Sequence, residues 1–207
     1  GLENFGFGKS TNSLYGNEAT GDLVFNNKVS ASTTVFGQGS TVTAMQMVQA
    51  ETAILNDGQM LAPYFLQRIH DKTIDKDVNI GQRTVVGTPI SKHTADIMKE
   101  ELYGVVNGTW AQGGKRYAVD NYSTSGKTGT AEVPQGKDNS IYTMIAPADN
   151  PKIVVAAVME HAGFGATWAG PACTVIAEKY LLGELKREHL YKRLTGASFM
   201  AEYNRQW

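Results

Sequence analysis

Cysteine is almost missing from this sequence. Cys173 stands alone among 207 residues, which excludes a disulfide within the chain. Long apolar runs are missing as well. The longest, Ile153 to Met159, has seven residues, far short of the ~20 that a bilayer-spanning helix needs. Neither sign of charge is in excess: the net charge is -1, so neither nucleic acid nor an acidic membrane surface is expected as a partner. His70, His93, His161 and His189 share no metal-ligand spacing, and neither a metal nor a cofactor is expected. There is no repeat, no low-complexity segment and no recognisable signal peptide. Gly1 falls in mid-pattern, so the start reads as a cut or processed end. What is there is ordinary globular composition, 42% hydrophobic and 19% charged, in a chain long enough for one domain with a sizeable core.

The stretch that carries chemistry is Ser125-Gly126-Lys127-Thr128-Gly129-Thr130-Ala131-Glu132-Val133. It reads as a strand offering a cation, two hydroxyls and bare backbone to a neighbour. Side chains alternate along a strand, so Thr128 and Thr130 share one side. Gly126 and Gly129 let another backbone come close. A carboxylate-bearing peptide laid along an edge suits these parts. Gly126-Lys127-Thr128 also ends a phosphate-binding P-loop, but that motif needs a glycine at position 121, which is Asn. Nucleotide binding is therefore excluded. A Lys-Thr-Gly triplet alone most often sits in a surface turn, so its surroundings must decide.

Those surroundings are specific. Phe36-Gly37-Gln38-Gly39, Val42-Thr43 and Gln46-Met47 precede a helix. Asn56-Asp57-Gly58-Gln59-Met60-Leu61 with Pro63 follows it, and Asp149-Asn150-Pro151-Lys152 lies downstream of the Lys-Thr-Gly strand. With these segments, from about Phe5 to Leu182, the chain resembles the class B penicillin-binding proteins. Their active sites combine Ser-x-x-Lys, Ser-x-Asn and Lys-Thr-Gly. Up to about Val133 the likeness is to division-type enzymes of Gram-positive cocci, and from Ile141 to Tyr180 to elongation-type enzymes.

The resemblance implies an α+β fold, an antiparallel sheet flanked by helices as in the penicillin-binding-protein/serine β-lactamase transpeptidase fold, here incomplete. Residues 1–207 would be the C-terminal portion of one transpeptidase domain. It further implies a serine D,D-transpeptidase that cross-links peptidoglycan, with stem peptides ending in D-Ala-D-Ala and β-lactams as ligands. The enzyme would lie at the extracytoplasmic face of the bacterial membrane, anchored by a segment outside this chain. Lys127 would supply the positive field for the substrate carboxylate. Thr128 and Thr130 would donate hydroxyl hydrogen bonds to it, the Thr130 N–H would be one oxyanion-hole donor, and Gly129 would keep the edge bare. A hydroxyl nucleophile needs an adjacent base, in this family the lysine of Ser-x-x-Lys. No Ser-x-x-Lys occurs: Ser123 precedes Lys127 by four positions, and Thr124 stands three before it. The isolated chain is therefore expected to be inactive. A fragment related to serine β-lactamases and a non-catalytic binding module are the alternatives.

Along the chain, residues 1–40 read as loop with short extended pieces. Ser10-Thr11-Asn12 matches Ser-x-Asn, but in a Ser/Thr/Asn-rich stretch that match costs little. Residues 41–57 predict a buried helix capped by Thr41 or Thr43 and ended by Gly58. Pro63–Ile69 predicts a strand and His70–Gln82 a loop or hairpin turn. A second helix runs from an N-cap at Ser91 to Asn107-Gly108. Trp110 to Ser123 reads as a loop whose Tyr117 and Tyr122 would pack at the surface or line a cleft. Three strands follow, Gly126–Val133, Ile141–Ala148 and Lys152–His161. The last is apolar on both faces, as if covered on both sides. By resemblance it is interior, paired on its far edge with the upstream half of the same domain or with a second copy. Trp168–Leu182 predicts a helix with Pro171 in its first turn and Gly183 past its end. Glu184–Trp207 reads as charged helix.

Overall fold

The computed structural model describes residues 1–13, 17–79, 81–108, 122–165 and 167–196. They form two compact units, Gly1–Asp96 and Ile97–Trp207. Helices and antiparallel sheets build both, which makes the chain α+β as expected.

The first unit is organised around a helix. A 3-10 turn at Leu2–Phe5 and a short helix α1 (Lys28–Thr34) precede α2 (Ala44–Leu55). The sequence predicts α2 two to three residues too long at each end. Thr43 starts it: its Oγ1 accepts the Gln46 N–H at 3.1 Å, and Gln46 Oε1 accepts the Thr43 N–H at 2.9 Å. This reciprocal cap satisfies two of the helix's orphan donors. Gln46 is fully buried, and its Nε2 donates to the carbonyls of Lys9 and Thr20. At the other end Gly58 has φ +93°. A Cβ there would stand 2.0 Å from the Ile90 carbonyl oxygen, so only glycine fits. Ala50, Ala53 and Ile54 of α2 and Met60 make this unit's apolar core.

Strand β1 (Met60–Leu61) pairs antiparallel with β4 (Val85–Gly87), and β2 (Arg68–Asp71) pairs with β3 (Lys76–Asn79). This corrects the predicted strand at Pro63–Ile69. Pro63 lacks an N–H, and pairing begins only at Arg68, where polar partners lie opposite. Arg68 meets Asp77 at 2.6 Å, and His70 meets the same carboxylate at 2.9 Å. The expectation of loop with short extended pieces over residues 1–40 also fails at Leu2–Phe5 and at α1, which are helical.

Helix α3 (Lys92–Asn107) follows, with Ser91 Oγ accepting the Thr94 N–H at 3.1 Å. The division between the two units falls inside it. The predicted loop from Trp110 lies, up to position 121, outside the described residues, and Tyr117 with it.

The second unit is a three-stranded meander in the order β5 (Ser125–Ala131), β6 (Asn139–Ala146), β7 (Ile153–Met159). Helix α4 (Ala169–Leu182) packs on one face, where Tyr142, Met144, Ala146 and Val155 meet Ala169, Cys173 and Ala177. Burial pushes the Cys173 thiol up to about 12, which leaves it unreactive. Pro171 sits in the first turn of α4, and Gly183, at φ +73°, caps its end. Helix α5 (Glu188–Thr195) follows, and Arg193 stacks 4.4 Å from the Trp168 ring centroid. The expectation of a doubly covered third strand is corrected. Only Val155 of β7 is buried, and Val158 is 40% exposed. Its apolar run serves one packed face and one half-covered face. Residues 197–207, predicted helical, lie outside the described residues.

Candidate functional site

The sequence-predicted site residues all lie on β5. This strand pairs with β6 from Ser125↔Ile145 to Ala131↔Asn139. Among the described residues its other edge is unpaired. Lys127 and Gly129 point to one face and Thr128 and Thr130 to the other, because the strand is regular over this range. A ligand touching both rows must therefore lie along the free edge, where cation, hydroxyls and backbone are all in reach.

Each residue has a distinct setting. Lys127 is exposed, and its Nζ donates to the Thr128 carbonyl at 2.8 Å. The ammonium is thereby folded back along the strand edge. Gly129 stands opposite Ile141, where a Cβ would meet that residue's Cβ at 3.2 Å. Gly126 is buried, and a Cβ there would lie 2.5 Å from the Thr143 carbonyl oxygen and 2.7 Å from the Tyr142 hydroxyl. What Gly126 makes room for is the Tyr142 ring, whereas the sequence suggested an approaching ligand. Thr130 is exposed, and its Oγ1 accepts the Gly165 N–H at 3.1 Å.

That last contact was not foreseen. The loop after β7 returns to the motif strand through Phe164 and Gly165. Ser140, fully buried and opposite Thr130 in the register, holds it there. The Ser140 hydroxyl donates to the carbonyls of Phe164 (2.9 Å) and Gly165 (3.1 Å) and accepts the Ala169 N–H at 3.1 Å. The available signal was Gly163-Phe164-Gly165 in a strand-to-helix connection, a composition that allows close backbone approach.

Other candidates resolve differently. Ser10 and Thr11 donate their hydroxyls to the Glu18 carboxylate, at 2.7 and 2.9 Å, and the Ser13 hydroxyl donates there too. Those bonds hold the carboxyl at about 2, below its ordinary value. This cluster ties a loop together, with the carboxylate engaged by all three hydroxyls. Tyr122 packs against the core beneath α4. Burial, then the nearby Glu178 carboxylate, pushes its phenol up to about 12. Among the described residues no group of His, Cys, Asp and Glu could hold a metal ion.

Comparison with known proteins agrees with this architecture. The family model described as the penicillin binding protein transpeptidase domain matches residues 1–181. Stage V sporulation protein D of Bacillus subtilis is 35% identical over 188 residues, 82% of this chain and 28% of that protein. The peptidoglycan D,D-transpeptidase MrdA of Haemophilus influenzae is 31% identical over 172 residues, 75% of this chain and 26% of that protein. The chain thus spans about a quarter of the length of these relatives. Among solved structures, penicillin binding protein 3 of Mycobacterium tuberculosis complexed with ampicillin superposes with a TM-score of 0.74 at 25% identity, covering 88% of this chain and 44% of that one. The chain belongs to the penicillin-binding-protein transpeptidase family, in its class B branch.

Proposed function

We propose that residues 1–207 are the C-terminal portion of one transpeptidase domain. The protein containing it would cross-link peptidoglycan stem peptides through a serine acyl-enzyme and bind penicillin. The observation that carries this reading is Lys127-Thr128-Gly129-Thr130 on a sheet edge that is unpaired among the described residues, within a chain of this family.

The residues divide the work by their chemistry. The Lys127 ammonium supplies positive potential where the terminal carboxylate of a D-Ala-D-Ala peptide, or of a β-lactam, comes to rest. Thr128 and Thr130 offer hydroxyl donors to that carboxylate. Charge-assisted bonds of this kind are about twice as strong as neutral ones. Gly129 leaves the edge open, and the Thr130 N–H is a donor for the oxyanion. The nucleophile comes from a Ser-x-x-Lys motif outside this sequence. Its serine loses a proton to the lysine and adds to the peptide carbonyl. The C–N bond breaks, D-alanine leaves with a proton, and the amine of a second stem peptide then displaces the serine. The site works at the extracytoplasmic face of the membrane, held by a segment outside these residues.

The missing nucleophile motif favours a second reading for the 207 residues alone, that of a binding module without catalysis. Fluorescent penicillin separates the two. The full-length protein should be labelled at its serine, and the isolated chain should not. A covalent adduct on the isolated chain by mass spectrometry, or no labelling of the full-length protein, would overturn this assignment.

A further inference from the structure

A threonine hydroxyl is a rotor with one donor proton and two acceptor sites. On an exposed strand it turns freely among water, backbone and ligand, and a carboxylate must first orient it. Thr130 is not in that situation. The Gly165 N–H points at its Oγ1 from 3.1 Å and fills one acceptor site. A donor on that side turns the hydroxyl proton away from the loop. Among the described residues that proton has no acceptor, so it is left for whatever lies along the β5 edge.

The turn that delivers this N–H is itself fixed. Thr130 and Ser140 are cross-strand partners and share a face. Ser140 spreads its single hydroxyl proton over the Phe164 and Gly165 carbonyls and accepts the Ala169 N–H, which fastens the turn to the start of α4. The Thr167 N–H closes the turn onto the Phe164 carbonyl at 2.8 Å, and the Gly163 N–H donates to the Asp138 carbonyl at 2.7 Å. Gly165 also rests against the strands themselves. A Cβ on it would lie 2.0 Å from the Gly129 carbonyl oxygen and 2.6 Å from that of Ile141. No side chain fits without moving the turn off Thr130.

We propose that the Phe164–Gly165 turn is a positioning element for Thr130, presetting its hydroxyl as the donor to the carboxylate of the peptide or β-lactam on β5. This deepens the proposed transpeptidase reading and rests on it. Gly165 and Ser140 are positioning residues that act through the Thr130 hydroxyl. A donor oriented before the ligand arrives spares reorganisation during acylation.

A double-mutant cycle in the full-length protein tests this, with the second-order acylation rate by benzylpenicillin as readout. Gly165→Ala should slow acylation about tenfold, as expected for loss of one well-placed bond to a charged group. In a Thr130→Val background the same change should have less than about a twofold effect. With benzylpenicillin methyl ester, which lacks the carboxylate, Gly165→Ala should have no effect in either background. An equal cost in both backgrounds would assign the turn a merely structural role and overturn the proposal. If circular dichroism shows Gly165→Ala unfolded, Ser140→Ala enters the same cycle, and an unchanged rate there overturns the proposal. Should Thr130→Val alone acylate at the parent rate, the reading of β5 as the substrate strand fails first and takes this proposal with it.

Discussion

Glu178 offers a demanding test of how the second unit holds together. Its side chain is fully buried in α4. Oε1 accepts Arg187 Nε at 2.6 Å, and Oε2 accepts the backbone N–H groups of Lys186 and Arg187, both at 3.1 Å. One carboxylate therefore satisfies a guanidinium and two amides that link α4 to α5. Glu178→Ala removes the acceptor and leaves all three donors behind. Breaking a buried ion pair from one side typically costs about 3–5 kcal/mol, because a largely desolvated charge loses its partner. For a chain of this size that corresponds to roughly 6–20 °C in Tm. Glu178→Gln keeps the shape and one carbonyl oxygen but loses the charge, and should cost roughly 1.5–3 kcal/mol. Urea unfolding followed by circular dichroism gives both values. Hydrogen exchange at the Lys186 and Arg187 amides reports the same site locally and should speed up in the alanine variant. A loss below about 1 kcal/mol for Glu178→Ala, with those amides still protected, would refute the reasoning.

Three further outcomes follow from single contacts. Lys127→Ala in the full-length protein should slow penicillin acylation on the order of a hundredfold with the fold intact, and a rate within a factor of two of the parent would contradict it. Glu18 has a folded-state pKa depressed from 4.5 to about 2, so its contribution to stability is present above pH 4.5 and lost as pH falls toward 2. Exchange of the Thr11 and Ser13 amides should accelerate in Glu18→Ala at neutral pH, while unchanged exchange would remove Glu18 as their anchor. Cys173 is fully buried with its thiol pushed up to about 12, so it should react with Ellman's reagent only after denaturation, and prompt reaction of the native protein would contradict the packing.

What the sequence made legible was local in character. The three strands of the second unit are short segments set between turn residues, the last of them a continuous apolar run from Ile153 to Met159. Helices α3 and α4 are delimited by Ser91 and Gly183, whose effects reach one turn of chain. The proposed site residues Lys127, Thr128, Gly129 and Thr130 are consecutive, so that proposal can be made from the sequence alone. Helix α1 was hidden because Lys28-Val29-Ser30-Ala31-Ser32-Thr33-Thr34 is poor in strong helix formers. It exists through the reciprocal Asn27–Ser30 cap and through Thr34 Oγ1, which donates to the Val24 carbonyl at 3.1 Å. The β2–β3 hairpin straddles the predicted strand Pro63–Ile69 and the predicted loop or hairpin turn His70–Gln82, because its polar pairing of Arg68 and His70 with Asp77 leaves only the exposed Ile69–Val78 pair as an apolar signal. The Gly165–Thr130 bond was beyond reach because its partners are 35 positions apart and one of them is a backbone amide. Side-chain identity carries no trace of such a contact.

The edge of β7 brings these strands back to assembly. Among the described residues β7 pairs only with β6, so its outer row of N–H and C=O groups faces no strand. Natural edges are blunted by charge, proline or a bulge. Ile153–Met159 has none of these inside it: its register with β6 is unbroken from Ala146↔Ile153 to Ser140↔Met159. Charges stand only at its flanks, Lys152 and Glu160. A seven-residue apolar strand left open in this way is a template for another strand. We propose that the upstream half of the same domain covers it, or failing that a second copy of this chain. The matched structure supports the first, since this chain accounts for 44% of it. In the full-length protein, alternate β7 amides should exchange as slowly as those of β6. The isolated chain should self-associate with concentration by light scattering, losing that association when Ala156→Lys and Val158→Lys charge the half-covered face beside the edge. A chain monomeric at every concentration, together with rapid exchange along that edge in the full-length protein, would leave β7 uncovered and refute the argument.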